Sequence, residues 1–212
     1  MSLHQRNLII MAKAPRIGRV KSRLARDIGA VNAWAFYRKT LSGVARRLAA
    51  DGRWRVSLGV SPDVTQNEPR IWPACCPRLA QGLGDLGERM MRLMAVFAQG
   101  PVVLIGADIP TVRPHHIVAA FKLLGRYDAV FGPACDGGYW MVGLKHPNRF
   151  FNVFGGVRWS GPYALTDTIA NLPTSWNYGL VATLADVDDS NDLRTFECQA
   201  KTSKQQLVSF KV

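Results

Sequence analysis

The chain has 212 residues, a net charge of +12, and 48% hydrophobic and 20% charged residues. This composition is typical of a folded protein and excludes a disordered chain, and the length suits a single domain with a buried core. The apolar runs are too short to span a membrane, and the first residues lack the apolar segment of a signal peptide. We therefore expect a cytoplasmic protein with no membrane partner, folded as one domain over residues 1–200 with a flexible tail over 201–212.

The positive charge is concentrated near the N-terminus. Residues 1–55 contain thirteen Lys and Arg but only Asp27 and Asp51 as acidic residues, so this region carries nearly all of the net charge. Such asymmetry indicates a polyanionic partner, either nucleic acid or a phosphorylated small molecule. Few aromatic residues alternate with these charges and no nucleic-acid-binding motif is present, so the small molecule is favoured.

Strands and helices are predicted to alternate along the chain. Pro114 suits the first turn of a helix, and Asp85 with Glu88 has the form of a capping box. The turn-rich segment 61–83 has no clear assignment. The predicted strands are 8–11, 54–60, 101–106, 129–132, 139–144 and 181–184, and the predicted helices are 33–48, 86–97, 115–124, 163–171 and a short one from about 191. This alternation predicts an α/β fold around an open sheet that is at least partly parallel.

A basic loop, residues 12–23, follows the first strand. It contains five cations, and Gly18 would permit close approach of a ligand to the backbone. The loop matches neither a P-loop nor a dinucleotide-binding glycine motif. Its cations could neutralise a triphosphate and the charge that develops as pyrophosphate leaves, or they could simply be solvated. The five cations are Lys13, Arg16, Arg19, Lys21 and Arg23.

Acidic residues follow three of the predicted strands, namely Asp108, Asp136 and Asp188. Ligands of open α/β sheets bind beyond the carboxyl ends of the strands, so these positions are candidate site residues. An unpaired carboxylate after a buried strand is costly, and Mg²⁺ would compensate it. Asp108 and Asp188 could hold this ion and should repel each other without it. The alternative is that Asp108 is a turn or cap residue.

Two glycines, Gly137 and Gly138, follow Asp136 directly. This arrangement would suit a backbone that wraps closely around a ligand. A hairpin turn between two strands explains it equally well.

Five segments in chain order are similar to the DUF2064 family, whose members are GT-A-fold, glycosyltransferase-like proteins akin to 2-phospho-lactate guanylyltransferase. The segments are 9–24, 81–90, 104–110, 132–140 and 186–193. The resemblance implies a three-layer GT-A fold, like that of nucleotide-diphospho-sugar transferases, with a mostly parallel mixed sheet of about seven strands.

The resemblance also implies roles for individual residues. The basic loop would bind nucleotide, with Lys21 and Arg23 on the phosphates, and Gln81 and Gly82 would lie where relatives read the base. Asp108 and Asp188 would be the Mg²⁺ ligands, and Asp108, Lys21 and Arg23 the catalytic set. The remaining nucleotide-binding candidates are Ala12, Lys13, Ala14, Arg16, Gly18, Asp85, Asp136, Gly137 and Gly138.

These features together favour a Mg²⁺-dependent nucleotidyltransferase that transfers a nucleoside monophosphate unit from a nucleoside triphosphate to a small phosphorylated acceptor. One alternative is a glycosyltransferase that uses a nucleotide-sugar and a sugar acceptor. Another is a noncatalytic protein that binds a nucleotide or nucleic acid. The sequence leaves open the base, the acceptor, the catalytic base and the oligomeric state.

Overall fold

A computed structural model describes residues 5–97, 99–147 and 152–209, with side chains described as far as residue 199. Within this part, seven strands form one sheet in the order β3-β2-β1-β4-β6-β5-β7. Pairing is antiparallel where β6 meets β4 and β5 and parallel elsewhere, so β6 runs against the other strands. The strands are β1 Asn7–Lys13, β2 Arg55–Ser61, β3 Arg78–Ala80, β4 Val102–Gly106, β5 Ala129–Pro133, β6 Tyr139–Leu144 and β7 Tyr178–Leu180.

Helices cover both faces of this sheet. They are α1 Ser22–Ile28, α2 Ala30–Ala49, α3 Leu86–Ala95, α4 Pro114–Leu123, α5 Ala164–Ala170 and α6 Ser190–Ser209. Alternate residues of β1 explain the layering, because Leu8 and Ile10 join one hydrophobic cluster and Ile9 joins the other. The first cluster includes side chains of α2 and α4, and the second includes side chains of α3. The predicted three-layer α/β fold with a mostly parallel mixed sheet is therefore confirmed.

The sequence prediction differs from the structure at four elements. It missed α1 and β3, and it set the last strand at 181–184, whereas β7 covers Tyr178–Leu180. The segment after β7 still follows β5, since the Val181 amide donates to the Phe131 carbonyl at 2.9 Å. The last helix is long rather than short and continues to Ser209, so residues 201–209 are helical. The flexibility of segment 201–212 stays a prediction, and residues 210–212 lie outside the described part.

Two capping interactions fix the start of helices near the site. Asp85 accepts the Glu88 amide at 2.8 Å while the Glu88 carboxylate accepts the Asp85 amide at 2.8 Å, which confirms the predicted capping box. Asp189 accepts the amides of Asn191 and Asp192 at 2.8 and 3.0 Å and caps α6 in the same manner. Among the described residues, the structure contains no helix with the length and apolar character needed to cross a membrane.

Candidate active site

A large cavity opens at the carboxyl edge of β1 and β4. Its volume is about 620 Å³, and it is bordered by the basic loop, by the segment after β4, by the β5–β6 connection and by the irregular chain before α6. Parallel strands end together at one edge of a sheet, which explains why segments far apart in sequence meet here. This is the edge at which the sequence predicted a ligand.

Three carboxylates meet at one point of this cavity. One oxygen from each of Asp108, Asp186 and Asp188 can be chosen such that all three lie within 4.8 Å of one another. We call these residues the acidic cluster. The sequence predicted Asp108 and Asp188 as the two metal ligands, with Asp188 rather than Asp186 as the second. Asp186 lies with Asp188 in the irregular segment between β7 and α6, and the choice between them stays a prediction.

The backbone around the acidic cluster is held by specific contacts. The Ala107 amide donates to the Met11 carbonyl at 3.1 Å, which extends the pairing of β4 with β1 as far as Asp108. A Cβ at Gly106 would come within 2.9 Å of an Asp108 carboxylate oxygen, so glycine leaves room for that side chain. On the other side, the Asp192 carboxylate accepts the Asp188 amide at 2.9 Å.

Lys21 enters the acidic cluster from the basic loop. Its Nζ donates to Asp108 Oδ2 at 2.9 Å and to Asp188 Oδ1 at 2.7 Å, and its side chain is only 5% exposed. The expectation that Asp108 and Asp188 simply repel each other is therefore wrong, because an ammonium lies between them. The implied place of Lys21 on phosphates stays a prediction; within the chain alone it binds carboxylates.

The pKa values of Lys21, Asp186 and Asp188 are shifted by burial and by the charges of the cluster. Burial, followed by the charges of Asp188 and Asp108, raises the pKa of Asp186 to about 6. Burial also acts to raise the pKa of Asp188, but the hydrogen bond and charge of Lys21 outweigh it and hold that pKa below its usual range. Burial would lower the pKa of Lys21, yet the charge of Asp108 and the hydrogen bond to Asp188 raise it.

This donor set fits a hard divalent cation. Carboxylate oxygens are the preferred protein ligands of Mg²⁺, which commonly takes one or two of them and completes its shell with water and substrate phosphates. Lys21 bonds to only two of the three carboxylates, so the cluster carries more negative charge than this ammonium neutralises. Asp108, Asp186 and Asp188 would hold the ion.

Part of the basic loop lines the cavity as predicted. The cations that do so are Lys13, Arg19, Lys21 and Arg23. Arg23 is 72% exposed and lies 3.5 Å from Asp188, which makes it a weak partner in the chain itself. Ser22 also lines the cavity.

The remaining loop candidates do not line this cavity. Ala12 and Ala14 are buried in the core. Arg16 forms an ion pair with Glu68 at 3.0 Å, and Gly18 has a left-handed backbone with φ of 72°. Their role in nucleotide binding stays a prediction, but these side chains do not contact the cavity.

Tyr37 is a site residue that the sequence prediction placed only in the core of α2. Its hydroxyl accepts the Lys13 amide at 2.9 Å and donates to the Lys13 carbonyl at 2.9 Å, and it lines the cavity. Burial, followed by the Asp108 charge, raises the pKa of Tyr37. The hydroxyl therefore stays protonated and fixes the backbone where β1 becomes the basic loop.

The predicted base-reading residues also lie outside the cavity lining. The buried Gln81 amide donates to the Gly59 carbonyl at 2.8 Å and to the Ala12 carbonyl at 3.3 Å. The Gly82 amide donates to Asp63 at 3.1 Å. Asp85 is committed to capping α3. Base reading by this segment stays a prediction, and the Gln81 amide would have to give up bonds to contribute.

The Asp136-Gly137-Gly138 segment is a hairpin connection that also borders the cavity. The Asp136 carboxylate accepts the Gly138 amide at 2.9 Å, and both residues line the cavity. Gly137 has φ of 84°, and a Cβ there would lie 2.3 Å from the Pro162 carbonyl oxygen. The close backbone approach at Gly137 is therefore to the chain itself and not to the cavity.

Part of the cavity lining is aromatic. Tyr139 and Trp159 belong to it, and we call this pair the aromatic wall. Their ring centroids lie 6.4 Å apart at a steep angle. The Tyr139 hydroxyl lies 3.3 Å from Thr168 Oγ1, whereas the buried Trp159 Nε1 has no hydrogen-bond partner among the described residues. Such a wall is typical of small-molecule sites. The sequence prediction missed it because single aromatics carry no periodic signal.

Three solved structures illustrate the similarity of this chain to proteins of known structure. A "putative nucleotide-diphospho-sugar transferase" from Desulfovibrio desulfuricans G20 is 27% identical, with a TM-score of 0.80 over 90% of this chain and 85% of that chain. The CMP:2-keto-3-deoxy-manno-octonic acid synthetase complexed with CTP is 11% identical, with a TM-score of 0.58 over 94% and 99%. Rv0371c of Mycobacterium tuberculosis H37Rv, crystallised with manganese, is 14% identical, with a TM-score of 0.54 over 90% and 97%.

Sequence comparison places the chain more narrowly. No curated protein matches it. The family model described as "Uncharacterized protein conserved in bacteria (DUF2064)" matches residues 44–161. Since this match spans more than half of the chain and agrees with the GT-A-like fold, the protein belongs to the DUF2064 family.

Proposed function

We propose that this protein is a Mg²⁺-dependent nucleotidyltransferase, which takes a nucleoside triphosphate and transfers its nucleoside monophosphate unit to a small acceptor. The observation that carries the proposal is the joining, in one cavity, of three carboxylates with four cations of the basic loop. Carboxylates can hold a divalent ion, and the cations can bind the phosphates that the ion does not neutralise.

The reaction needs positioning and charge neutralisation more than covalent help from the protein. An acceptor oxygen forms a bond to the α-phosphorus while the bond from that phosphorus to the pyrophosphate oxygen breaks, and the acceptor proton passes to solvent or to a base that we do not assign. Bound Mg²⁺ supplies Lewis-acid stabilisation of phosphate oxygens. Lys13, Arg19 and Arg23 would hold the departing pyrophosphate, and Tyr37 keeps the backbone at Lys13 in position.

The aromatic wall supports a second candidate, a glycosyltransferase that uses a nucleotide-sugar. The face of an aromatic ring suits the C–H face of a sugar, and the nearby Asp136 carboxylate can accept sugar hydroxyls. In the described part of the chain, all cations lining the cavity come from residues 13–23. A phosphorylated acceptor would have to share them with the donor, whereas a sugar would not.

A panel of ligands separates the two candidates. The melting temperature is measured with ATP, GTP, CTP and UTP and with the matching nucleotide-sugars, in Mg²⁺ and in EDTA, followed by assays for pyrophosphate release. Metal-dependent protection that is greatest with a triphosphate supports the nucleotidyltransferase. Greater protection by a nucleotide-sugar supports the glycosyltransferase, and protection by neither rejects both.

A further inference from the structure

The position of the Lys21 ammonium has a consequence for how metal and nucleotide bind. Its Nζ contacts one oxygen of Asp108 and one of Asp188, two of the three carboxylates that form the acidic cluster. The ammonium is thus a monovalent cation at the centre of the donor set suited to a divalent one. At 5% exposure it is held there rather than loosely solvated.

Lys21 and a divalent ion would compete for the same carboxylates. Two cations held a few ångströms apart by the same carboxylates repel each other strongly even at an effective dielectric constant of about 20. Binding of the ion is therefore expected to displace Lys21 or to break at least one of its two bonds. If the Lys21 side chain moved away without finding a new anionic partner, its ammonium would be an uncompensated charge in a confined site.

The basic loop offers Lys21 a second place. The side chain has a flexible four-carbon stem, and the cations beside it on the cavity wall, Arg19 and Arg23, would draw phosphate groups to this loop. The Lys21 backbone lies in the left-handed region, with φ of 49° and ψ of 52°, immediately before α1. A non-glycine residue in this region is strained and is often found at a site that must change or hold a special geometry.

We propose that Lys21 is an internal cation that holds the acidic cluster in the absence of metal and moves to the phosphates when the nucleotide arrives with its metal. Metal and phosphate then bind cooperatively. The metal displaces Lys21 from the acidic cluster, and the phosphate gives Lys21 a new anionic partner. This inference rests on the proposed function for the identity of the anion. Its test uses metal alone, so that the two can fail separately.

The test is a calorimetric titration of Mn²⁺, without nucleotide, into the full chain and its variants. Lys21→Met should bind Mn²⁺ at least about tenfold more tightly than wild type, because the competing cation is gone. Lys21→Arg retains the charge and should stay within about threefold of wild type. Arg46→Met is the matched control: it removes one exposed charge on α2, outside the lining of the cavity, and should also change little.

Loss of Lys21 could prevent folding, so a second pair of variants is included. Asp186→Asn removes one negative charge, and the double variant Lys21→Met/Asp186→Asn should bind Mn²⁺ more tightly than the single Asp186→Asn variant. Equal or weaker Mn²⁺ affinity on loss of Lys21, in either background, overturns the proposal. If affinity rises but no nucleotide or nucleotide-sugar protects the protein, the internal cation stands and the proposed function fails.

Discussion

Two of the groups in which acidic side chains pair with cations are built in opposite ways. Near α5, Asp167 pairs with Arg158, through bonds of 2.9 and 2.8 Å from the guanidinium and 3.0 Å from the Arg158 amide. At the carboxyl edge of the sheet, the buried ammonium of Lys21 bonds to Asp108 and Asp188, and Asp186 is a third carboxylate close to both. The first group is balanced in charge, and the second has an excess of negative charge.

The pKa values show what this difference means. The hydrogen bonds of Arg158 hold the pKa of Asp167 at about 2, whereas burial and its two acidic neighbours raise the pKa of Asp186 to about 6. A balanced ion pair stabilises the fold and leaves nothing to bind. Three carboxylates around one cation are retained at a cost, which is a common sign of a functional site.

The largest expected effect is on ligand binding at the acidic cluster. Asp188→Asn should weaken Mg²⁺-dependent triphosphate binding by at least about 100-fold, because the proposed metal site would lose a charged ligand. Asp167→Asn, the matched change in the balanced pair, should leave that affinity unchanged. Calorimetry with the triphosphate that gives most thermal protection measures both. Similar losses in the two variants would mean that the acidic cluster has no special role.

The next effect concerns the phosphates. Arg23→Ala should weaken triphosphate binding about tenfold, since a charge-assisted contact is lost. Its free energy of unfolding should fall by less than about 0.5 kcal/mol, because the side chain is 72% exposed. Arg46→Ala, on the exposed side of α2, is the control and should alter neither quantity. Unchanged affinity in Arg23→Ala would return Arg23 to the class of solvated surface charges.

A smaller effect is expected on stability. The pKa of Asp186 is higher in the folded protein than the usual 3.8, so folding binds a proton between about pH 4 and 6 and stability falls as the pH rises through this window. Without metal, Asp186→Asn should therefore raise the free energy of unfolding at pH 7 by about 1 kcal/mol, a figure reduced for partial solvent screening. This gain in stability is expected for Asp186→Asn rather than for a change at Asp108, because the Lys21 ammonium already compensates the Asp108 carboxylate.

Urea unfolding in EDTA at pH 4 and pH 7 measures that effect. The stability gain of Asp186→Asn should be present at pH 7 and nearly absent at pH 4. A loss of stability at pH 7 would mean that the Asp186 carboxylate is compensated in the folded chain, contrary to the pKa argument.

The smallest effect is expected at the balanced pair. The pKa of Asp167 is lowered, so its stabilising contribution is complete above about pH 4 and is lost as the pH falls towards 2. Asp167→Asn should lower the melting temperature slightly at pH 7 and not at pH 2, as measured by thermal unfolding. An equal decrease at both values would assign the effect to packing rather than to charge.

Much of this arrangement was predictable from local patterns. The apolar run of β4 and the position of Asp108 at its end predicted one of the three members of the acidic cluster, and the basic loop after β1 predicted the cations. Asp188 was found by the same reasoning, although β7 ends earlier than predicted. Asp108 and the basic loop come soon after regular elements, and periodicity marks where such elements end.

The rest depends on tertiary contacts that local patterns do not contain. Asp186 lies in an irregular segment, and only its approach to Asp108 gives it a role. Tyr37 belongs to the core face of α2, yet its hydroxyl binds the end of β1. Gln81 illustrates the converse, since a resemblance implied contact with a base while its amide is bonded to two backbone carbonyls. The tertiary structure therefore determines which side chains remain free to contact a ligand.

The most direct test of the central claim is a crystal structure of the protein with Mn²⁺ and the triphosphate that protects it best. Anomalous scattering locates the metal independently of the refined coordinates. We predict one strong peak bonded to oxygens of the acidic cluster and of the triphosphate, with Lys21 Nζ on a phosphate oxygen. A metal bound elsewhere, or a triphosphate in the cavity with Lys21 still bonded to both Asp108 and Asp188, would contradict the account.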